Sequence, residues 1–555
     1  MKTRLLLIAY ALSGTAALIY ELSWMRELSA MLGATAYAGG IMLGAFMTGL
    51  GLGALIGTII TGNVKRPLML ASRVELAIAV LSIVAFLGIR YLPGYYFNWM
   101  RSTGASNPSS FLALQFATCF LVMALPTTAM GMTYPLIMRA VGRDSSIGSL
   151  SAKLYAVNTV GAIIGSLIAT FSFLPLVGVK GSLVIAAILS VLVAILLRSL
   201  TTPRLDVLAL FKTPEILVAG ITLIILIAIP ARADSPLGLG QAFYYLSAQD
   251  FERAAAGRTT LFDQEGLYSR VQVIKDSDGT RRLYNGALDE GTDNDFDRVT
   301  TAMIAAVPAF SVENTGEALV VGLGTGFTSE TYFDLGFEQT TTVEINPQVL
   351  PASSFFLDQD FAGSDRWTVV VDDARAFILT SPDLYDCISS EPSWPWSSGV
   401  AALFTEEFMM AAKTRLKPEG VYCQWLPNYL LRSEDVEMMY KTMRQVYDRV
   451  DVWAINFSNV KNAELLLVGF NDRNSVDQEI IKKRLDDLID TGQFNNEFIV
   501  TDCITPYSEV LRLEAALADS AVPINTDDHS TLEYRVFWNF VRRALDPLAW
   551  ESSQR

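Results

Sequence analysis

The sequence predicts two structural classes in one chain: a polytopic α-helical membrane domain of about seven spans, then a soluble α/β domain with a doubly wound sheet. Three observations predict this. Long stretches almost without charge fill residues 1–232, and ordinary mixed sequence follows. Net charge changes sign at the same place, with 16 Lys/Arg against 6 Asp/Glu up to Arg232 and 26 against 51 beyond it. A glycine-rich turn, Gly322-Leu323-Gly324-Thr325-Gly326, directly follows the apolar run Ala318–Val321. At 555 residues and 51% hydrophobic, the chain is too long for one domain and too apolar for an ordinary soluble protein. The boundaries read as 1–232 for the helical domain, 233–312 for a linker and small β-rich lead-in, and 313–555 for the α/β domain.

A span needs about 20 apolar residues to cross the hydrocarbon. Candidates lie near 5–22, 39–62, 68–92, 111–138, 154–176, 181–197 and 215–231. The first is not a cleaved signal, because Tyr20, Glu21 and Trp24 stand where small residues are needed. Gly49, Gly53 and Gly57 recur at helical spacing and read as close helix packing. Glu21 is either functional or an interfacial residue beside Arg26. One set of short loops holds most of the Lys and Arg, starting with Lys2 and Arg4, so the N-terminus is expected inside a bacterial cytoplasmic membrane. Seven spans would then put the second half outside, unless the short seventh segment lies in the interface or another span is miscounted. The charge count leans to the outside.

In the second half, Tyr268–Lys275 alternates as a strand, and Asn285-Gly286 marks a hairpin. The strand before the glycine turn is followed by a helix from about Thr328. A second strand, Thr341–Glu344, ends in an acid about 20 residues past the glycines. Glycines let the backbone approach a ligand, and an acid at that place can hold both ribose hydroxyls of a nucleoside. Trp367–Val371 forms a third strand ending in Asp372-Asp373, placed to meet an adenine amino group. Tyr385–Ile388 forms a fourth, leading to Glu391. A helix from about Thr405 to Leu416, a turn at Lys417–Gly420 and a strand Val421–Trp425 complete the reading. The nicotinamide-type turn has a third glycine where Phe327 stands, which favours an S-adenosylmethionine-type ligand.

The acidic second half argues against nucleic acid and suits either a cationic substrate or simple solubility. Cys119, Cys387, Cys423 and Cys503 show no metal-ligand spacing, and the single histidine, His529, excludes a His-rich zinc site. No metal is expected.

At these residues the chain resembles the spermidine synthase (aminopropyltransferase) family, and more closely the bacterial fused major-facilitator/spermidine synthase-like membrane proteins. Ser13-Gly14, Leu18–Glu21, Ser390–Trp396 and Ile524–Asp528 carry the closer likeness. The resemblance implies a Rossmann-like methyltransferase/spermidine synthase fold. It implies that Gly322, Gly324 and Gly326 line the cofactor, Glu344 holds its ribose, and Asp372 and Asp373 face its adenine. It also implies Glu391 as the base that deprotonates an attacking amine, one methylene longer than the family's aspartate. The family's second aspartate corresponds here to Trp394, its Tyr-Gln pair to Thr300 and Thr301, its histidine to Ala306, and its cofactor-contacting glutamine to Asp289. The cofactor half of the pattern is thus better kept than the polyamine half. Trp394 and Trp396 are candidates to stack on a flat or cationic group, or else to pack a lid.

The expected activity is a membrane-tethered transferase. It would take S-adenosylmethionine or its decarboxylated form as donor and transfer an alkyl group to a small amine or a membrane-presented acceptor. The alternatives are a nucleoside- or polyamine-binding sensor or transporter, and an accessory subunit of a membrane complex. Beyond the bilayer, a homo-oligomer or such a complex is a possible assembly.

Overall fold

The computed structural model describes residues 2–102, 108–141, 147–201, 255–286, 288–397, 399–457, 460–471, 478–490, 504–519 and 521–545, with a few single positions between 217 and 253. It divides into two compact units, Met1–Phe251 with Glu265–Leu267, and Glu252–Gln264 with Tyr268–Arg555.

In the first unit the apolar stretches form α1 (Lys2–Leu32), α2 (Ala36–Thr61), α3 (Pro67–Ser102), α4 (Pro108–Val141), α5 (Ile147–Ile168) and α6 (Leu174–Ser199). Among the described residues, five helical runs are long and apolar enough to cross a membrane. The fifth, Gly148–Ser199, has 52 residues, about twice what one crossing needs. It carries a break at Gly178, whose φ of 69° and ψ of −179° are not helical. The expected span at 215–231 lies largely outside the described residues, so the count of seven is not reproduced. Small residues set the helix pairing. A methyl group on Gly49 or Gly53 of α2 would collide with Thr127 or the Thr128 carbonyl of α4, and one on Gly161 or Gly165 of α5 would collide with Ala11 or Thr15 of α1.

The second unit opens with a four-stranded sheet, β1 (Thr259–Glu265), β2 (Arg270–Lys275), β3 (Arg281–Asn285) and β4 (Leu288–Thr292), in which β2, β3 and β4 pair antiparallel. The Asn285-Gly286 turn joins β3 to β4, with Gly286 at φ 61°. Helix α7 (Asp295–Phe310) follows, capped by the Asn294 side chain on the Asp297 amide.

Next come β5 (Glu317–Val321), α8 (Phe327–Asp334), β6 (Gln339–Glu344), α9 (Val349–Ser353), α10 (Gln359–Ala362), β7 (Trp367–Val371), α11 (Ala374–Thr380) and β8 (Tyr385–Ser390). The remainder is α12 (Glu406–Lys413), β9 (Leu416–Leu426), α13 (Ser433–Val446), β10 (Arg449–Phe457), β11 (Val460–Phe470), α14 (Gln478–Asp490), β12 (Ile504–Pro506), α15 (Val510–Asp519) and α16 (Thr531–Leu545). One eight-stranded sheet runs β12-β10-β11-β9-β8-β5-β6-β7. Strands β5 to β9 are parallel, while β10, β11 and β12 add antiparallel.

The expected turn at Lys417–Gly420 is instead part of β9, which begins at Leu416 and shifts register against β8 between Tyr385 and Cys387. Pairing with β8 passes from Leu416 directly to Val421, so Lys417–Gly420 form an irregularity inside the strand, where the proline has no amide to give. The core is formed by α7 against the sheet, with Val320, Cys387, Cys423, Trp453 and Leu466 all fully buried.

Candidate functional site

After β5, β6 and β7 the chain returns to the other side of β5 to form β8, so β5 and β8 flank a topological switch point. In such sheets ligands bind beyond the carboxyl ends of the strands at that point. The glycine turn leaves β5 there. Gly322, Gly324 and Gly326 have φ of 94°, 51° and 89°, a region side chains avoid. A Cβ on Gly322 would lie 2.7 Å from the Glu391 carbonyl oxygen, and one on Gly326 would collide with Leu357. The turn is therefore glycine both for its conformation and for its closeness to the end of β8.

Glu344 ends β6 and is 8% exposed. Its Oε2 accepts from the Leu323 amide at 3.0 Å and its Oε1 from the Asn346 amide at 2.8 Å. Burial raises its pKa, and the backbone amides work against the rise. Each carboxylate oxygen keeps acceptor capacity for a further donor. Asp372 and Asp373 follow β7 and are exposed. Asp373 caps α11, its Oδ1 accepting from the Ala376 amide at 2.9 Å, and Asp372 accepts from the Asp373 amide at 2.8 Å.

Glu391 leaves β8 with its amide bonded to the Val321 carbonyl at 3.1 Å, which ties it to the strand feeding the glycine turn. The Thr328 hydroxyl of α8 donates to its Oε2 at 2.6 Å. Burial pushes its pKa up to about 7, helped by nearby Asp297.

Three further carboxyls surround it that sequence reasoning missed. Glu464 of β11 is 4% exposed, accepts from the Thr300 hydroxyl of α7, and is pushed up to about 8 by burial. Glu290 of β4 accepts from Ser393 at 2.8 Å and is also pushed by burial to about 8, with Glu344 and Glu391 among its charged neighbours. Asp297 of α7, held by the Thr292 amide at 2.7 Å, is pushed by burial to about 6. They come from elements far apart in the chain, so no sequence spacing pointed to them.

Asp289 is turned to Arg282, whose guanidinium donates to Oδ2 at 2.7 Å. Burial raises its pKa despite that cation. Trp394 and Trp396 are both buried. Their rings meet each other with centroids 6.0 Å apart, and Phe540 of α16 at 6.0 and 5.1 Å. Tyr429 and Phe537 complete the cluster. The Trp394 indole also donates to the Asp289 carbonyl at 3.4 Å.

Residues 298–478 match the family model described as the spermine/spermidine synthase domain. The C-terminal part of the chain holds a spermidine synthase domain. Polyamine aminopropyltransferase of Corynebacterium efficiens is 24% identical over 432 residues, 75% of this chain and 76% of the relative. That extent exceeds the second unit, so the likeness to this relative reaches into the helical unit. Putrescine N-methyltransferase 2 of Nicotiana attenuata is 28% identical over 198 residues, 34% of this chain and 51% of that protein. A solved spermidine synthase in complex with the transition state analogue AdoDATO is 20% identical over 52% of this chain and 89% of its own, with a TM-score of 0.36. The spermidine synthase domain thus spans the glycine turn, Glu344, Glu391 and Glu464.

Proposed function

We propose that the chain is a membrane-tethered aminopropyltransferase that takes decarboxylated S-adenosylmethionine as donor and a cationic amine as acceptor. The observation that carries this is the contact of Glu391 with the glycine turn: a near-neutral carboxylate stands where its backbone touches Gly322. Gly322, Gly324 and Gly326 would admit the donor, Glu344 would receive its ribose hydroxyls, and Asp373 would lie towards its adenine. A sulfonium donor supplies a carbon already activated for attack by nitrogen. Glu391 takes the proton that the amine must lose to become a nucleophile, and a base with pKa near 7 is matched to that task at neutral pH. Thr328, bonded to Oε2, fixes the carboxylate and leaves Oε1 for the amine. The turn and Glu391, held together by backbone contact, give the proximity on which the displacement depends.

Acceptor recognition has been rebuilt. Trp394 replaces the family's second aspartate and is buried in aromatic packing, while Glu464, Glu290 and Asp297 supply carboxyls on the same side. A di- or polycationic amine would neutralise them. The apolar helices of the first unit would hold the enzyme in the bacterial cytoplasmic membrane, and an amine borne by a membrane component is an acceptor of the same chemistry.

The test is incubation of the purified full chain with labelled decarboxylated S-adenosylmethionine and a panel of amines, followed by mass spectrometry. Methylthioadenosine and an aminopropylated product in equal amounts are expected, and both should form far more slowly in Glu391→Gln. Methyl transfer from S-adenosylmethionine instead would replace the donor assignment. Absence of binding to either donor would sink the transferase reading.

A further inference from the structure

The helical unit buries a carboxylate that the sequence reading passed over. Glu75 of α3 is 1% exposed, and the Ser13 hydroxyl of α1 donates to its Oε1 at 2.7 Å. The Thr133 hydroxyl of α4 lies beside the same carboxylate. It is 2% exposed and closes no hydrogen bond of its own. Ser13 stands eleven residues into α1, Glu75 eight into α3, and Thr133 eight before the end of α4. At 1.5 Å per residue all three lie about 12–16 Å from their helix ends. With helices alternating in direction those ends share one side, which puts the group near the middle of a hydrocarbon layer ~30 Å thick.

An ionised carboxylate at that depth is costly unless its charge is met. Among the described residues no cation meets it. Tyr10 and Tyr20 of α1 are the titratable neighbours that feel its charge. From α6, Ser190 reaches the Tyr20 hydroxyl at 3.5 Å, and α4 contributes Thr133. The carboxylate therefore faces hydroxyl oxygens from two further helices, Ser13 of α1 and Thr133 of α4, the second of them unsatisfied. Oxygens gathered at a buried carboxylate attract positive charge.

We propose that Glu75, Ser13 and Thr133 form a binding site for one small monovalent cation, a proton or an alkali-metal ion. It rests on the reading that these helices lie in a bilayer, and it is independent of the transfer chemistry in the second unit.

The test uses the purified full chain in lipid nanodiscs. One arm measures equilibrium binding of radiolabelled sodium at fixed pH. The other follows the carboxylic C=O infrared band across pH in sodium-free buffer. Wild type should bind one sodium ion per chain, or its infrared difference from Glu75→Gln should show one additional buried band titrating, and Glu75→Gln should lose that signal. Saturable sodium binding assigns an alkali-metal ion, and titration with pH alone assigns the proton. Ser13→Ala keeps the carboxylate and should weaken affinity, or displace the midpoint, on the order of tenfold. Wild type and folded Glu75→Gln indistinguishable in both arms would overturn the proposal. Should Glu75→Gln not fold, unchanged behaviour of Ser13→Ala overturns it equally.

Discussion

The two sides of the switch-point crevice treat buried carboxyls differently. Towards the glycine turn, Glu344 is gripped by backbone amides from Leu323 and Asn346. Beyond β8, Glu391, Glu464 and Glu290 receive side-chain hydroxyls from Thr328, Thr300 and Ser393. A backbone amide is fixed by the fold and stabilises the anion, whereas a hydroxyl can donate or accept and suits either protonation state. Burial accordingly lifts Glu391 to about 7 and Glu464 and Glu290 to about 8. On the proposed function, the glycine-turn side is a fixed receptor for the donor's hydroxyl groups, and the Glu391 side is a reservoir of negative charge for a cationic acceptor or protons to fill.

Four substitutions test that contrast. Glu391→Gln should cost the largest factor, about 10²–10⁴ in turnover, with donor affinity measured by calorimetry unchanged. In wild type the rate should rise with pH through about 7, because the base works deprotonated. Glu344→Ala should do the reverse, weakening donor binding on the order of a hundredfold through lost charge-assisted hydrogen bonds. If the two effects were interchanged, the division into sides would be wrong.

Glu464→Gln sits in the middle of the range, with acceptor affinity expected to fall roughly tenfold. Its folded pKa of about 8 lies above the ordinary carboxylate value, so the stability it contributes is present below that ordinary value and lost as pH rises through 8. Thermal melts of the ligand-free protein should therefore decline across that window, and Glu464→Gln should flatten the decline. A diamine should restore wild-type stability more at pH 8 than at pH 6. Asp373→Ala is the mildest, with helix α11 losing a cap worth ~1 kcal/mol and donor affinity dropping a few-fold.

Most of the parallel strands were legible because they are short runs of apolar or β-branched residues followed by glycine or acid, and Trp367–Val371 was read to the residue. Their C-terminal ends carry the residues proposed for the donor, so one reading of the strands placed the candidates as well. The acceptor side was opaque for a physical reason. Glu464 looks like an ordinary charge within the strand sequence Ala463–Leu467, and only antiparallel pairing of β11 with β9 and β10 brings it under α7. The turn expected at Lys417–Gly420 failed because proline and glycine, strong breakers locally, were accommodated by a bulge. Trp394 and Trp396 read equally as stacking platforms or lid packing, since an aromatic pair does not reveal which surface it meets.

What those tryptophans meet has a consequence for how the enzyme matures. The loop that continues from Glu391 is anchored by Phe537 and Phe540, which lie in the last described helix, Thr531–Leu545. A ribosome makes every donor-side residue well before it makes that anchor. During synthesis the nascent domain would hold the glycine turn and its acids while the loop beyond Glu391 still lacked the Phe537 and Phe540 rings that pack Trp394 and Trp396. Acceptor chemistry would begin only once the final helix had docked, which makes α16 a completion check on the whole domain.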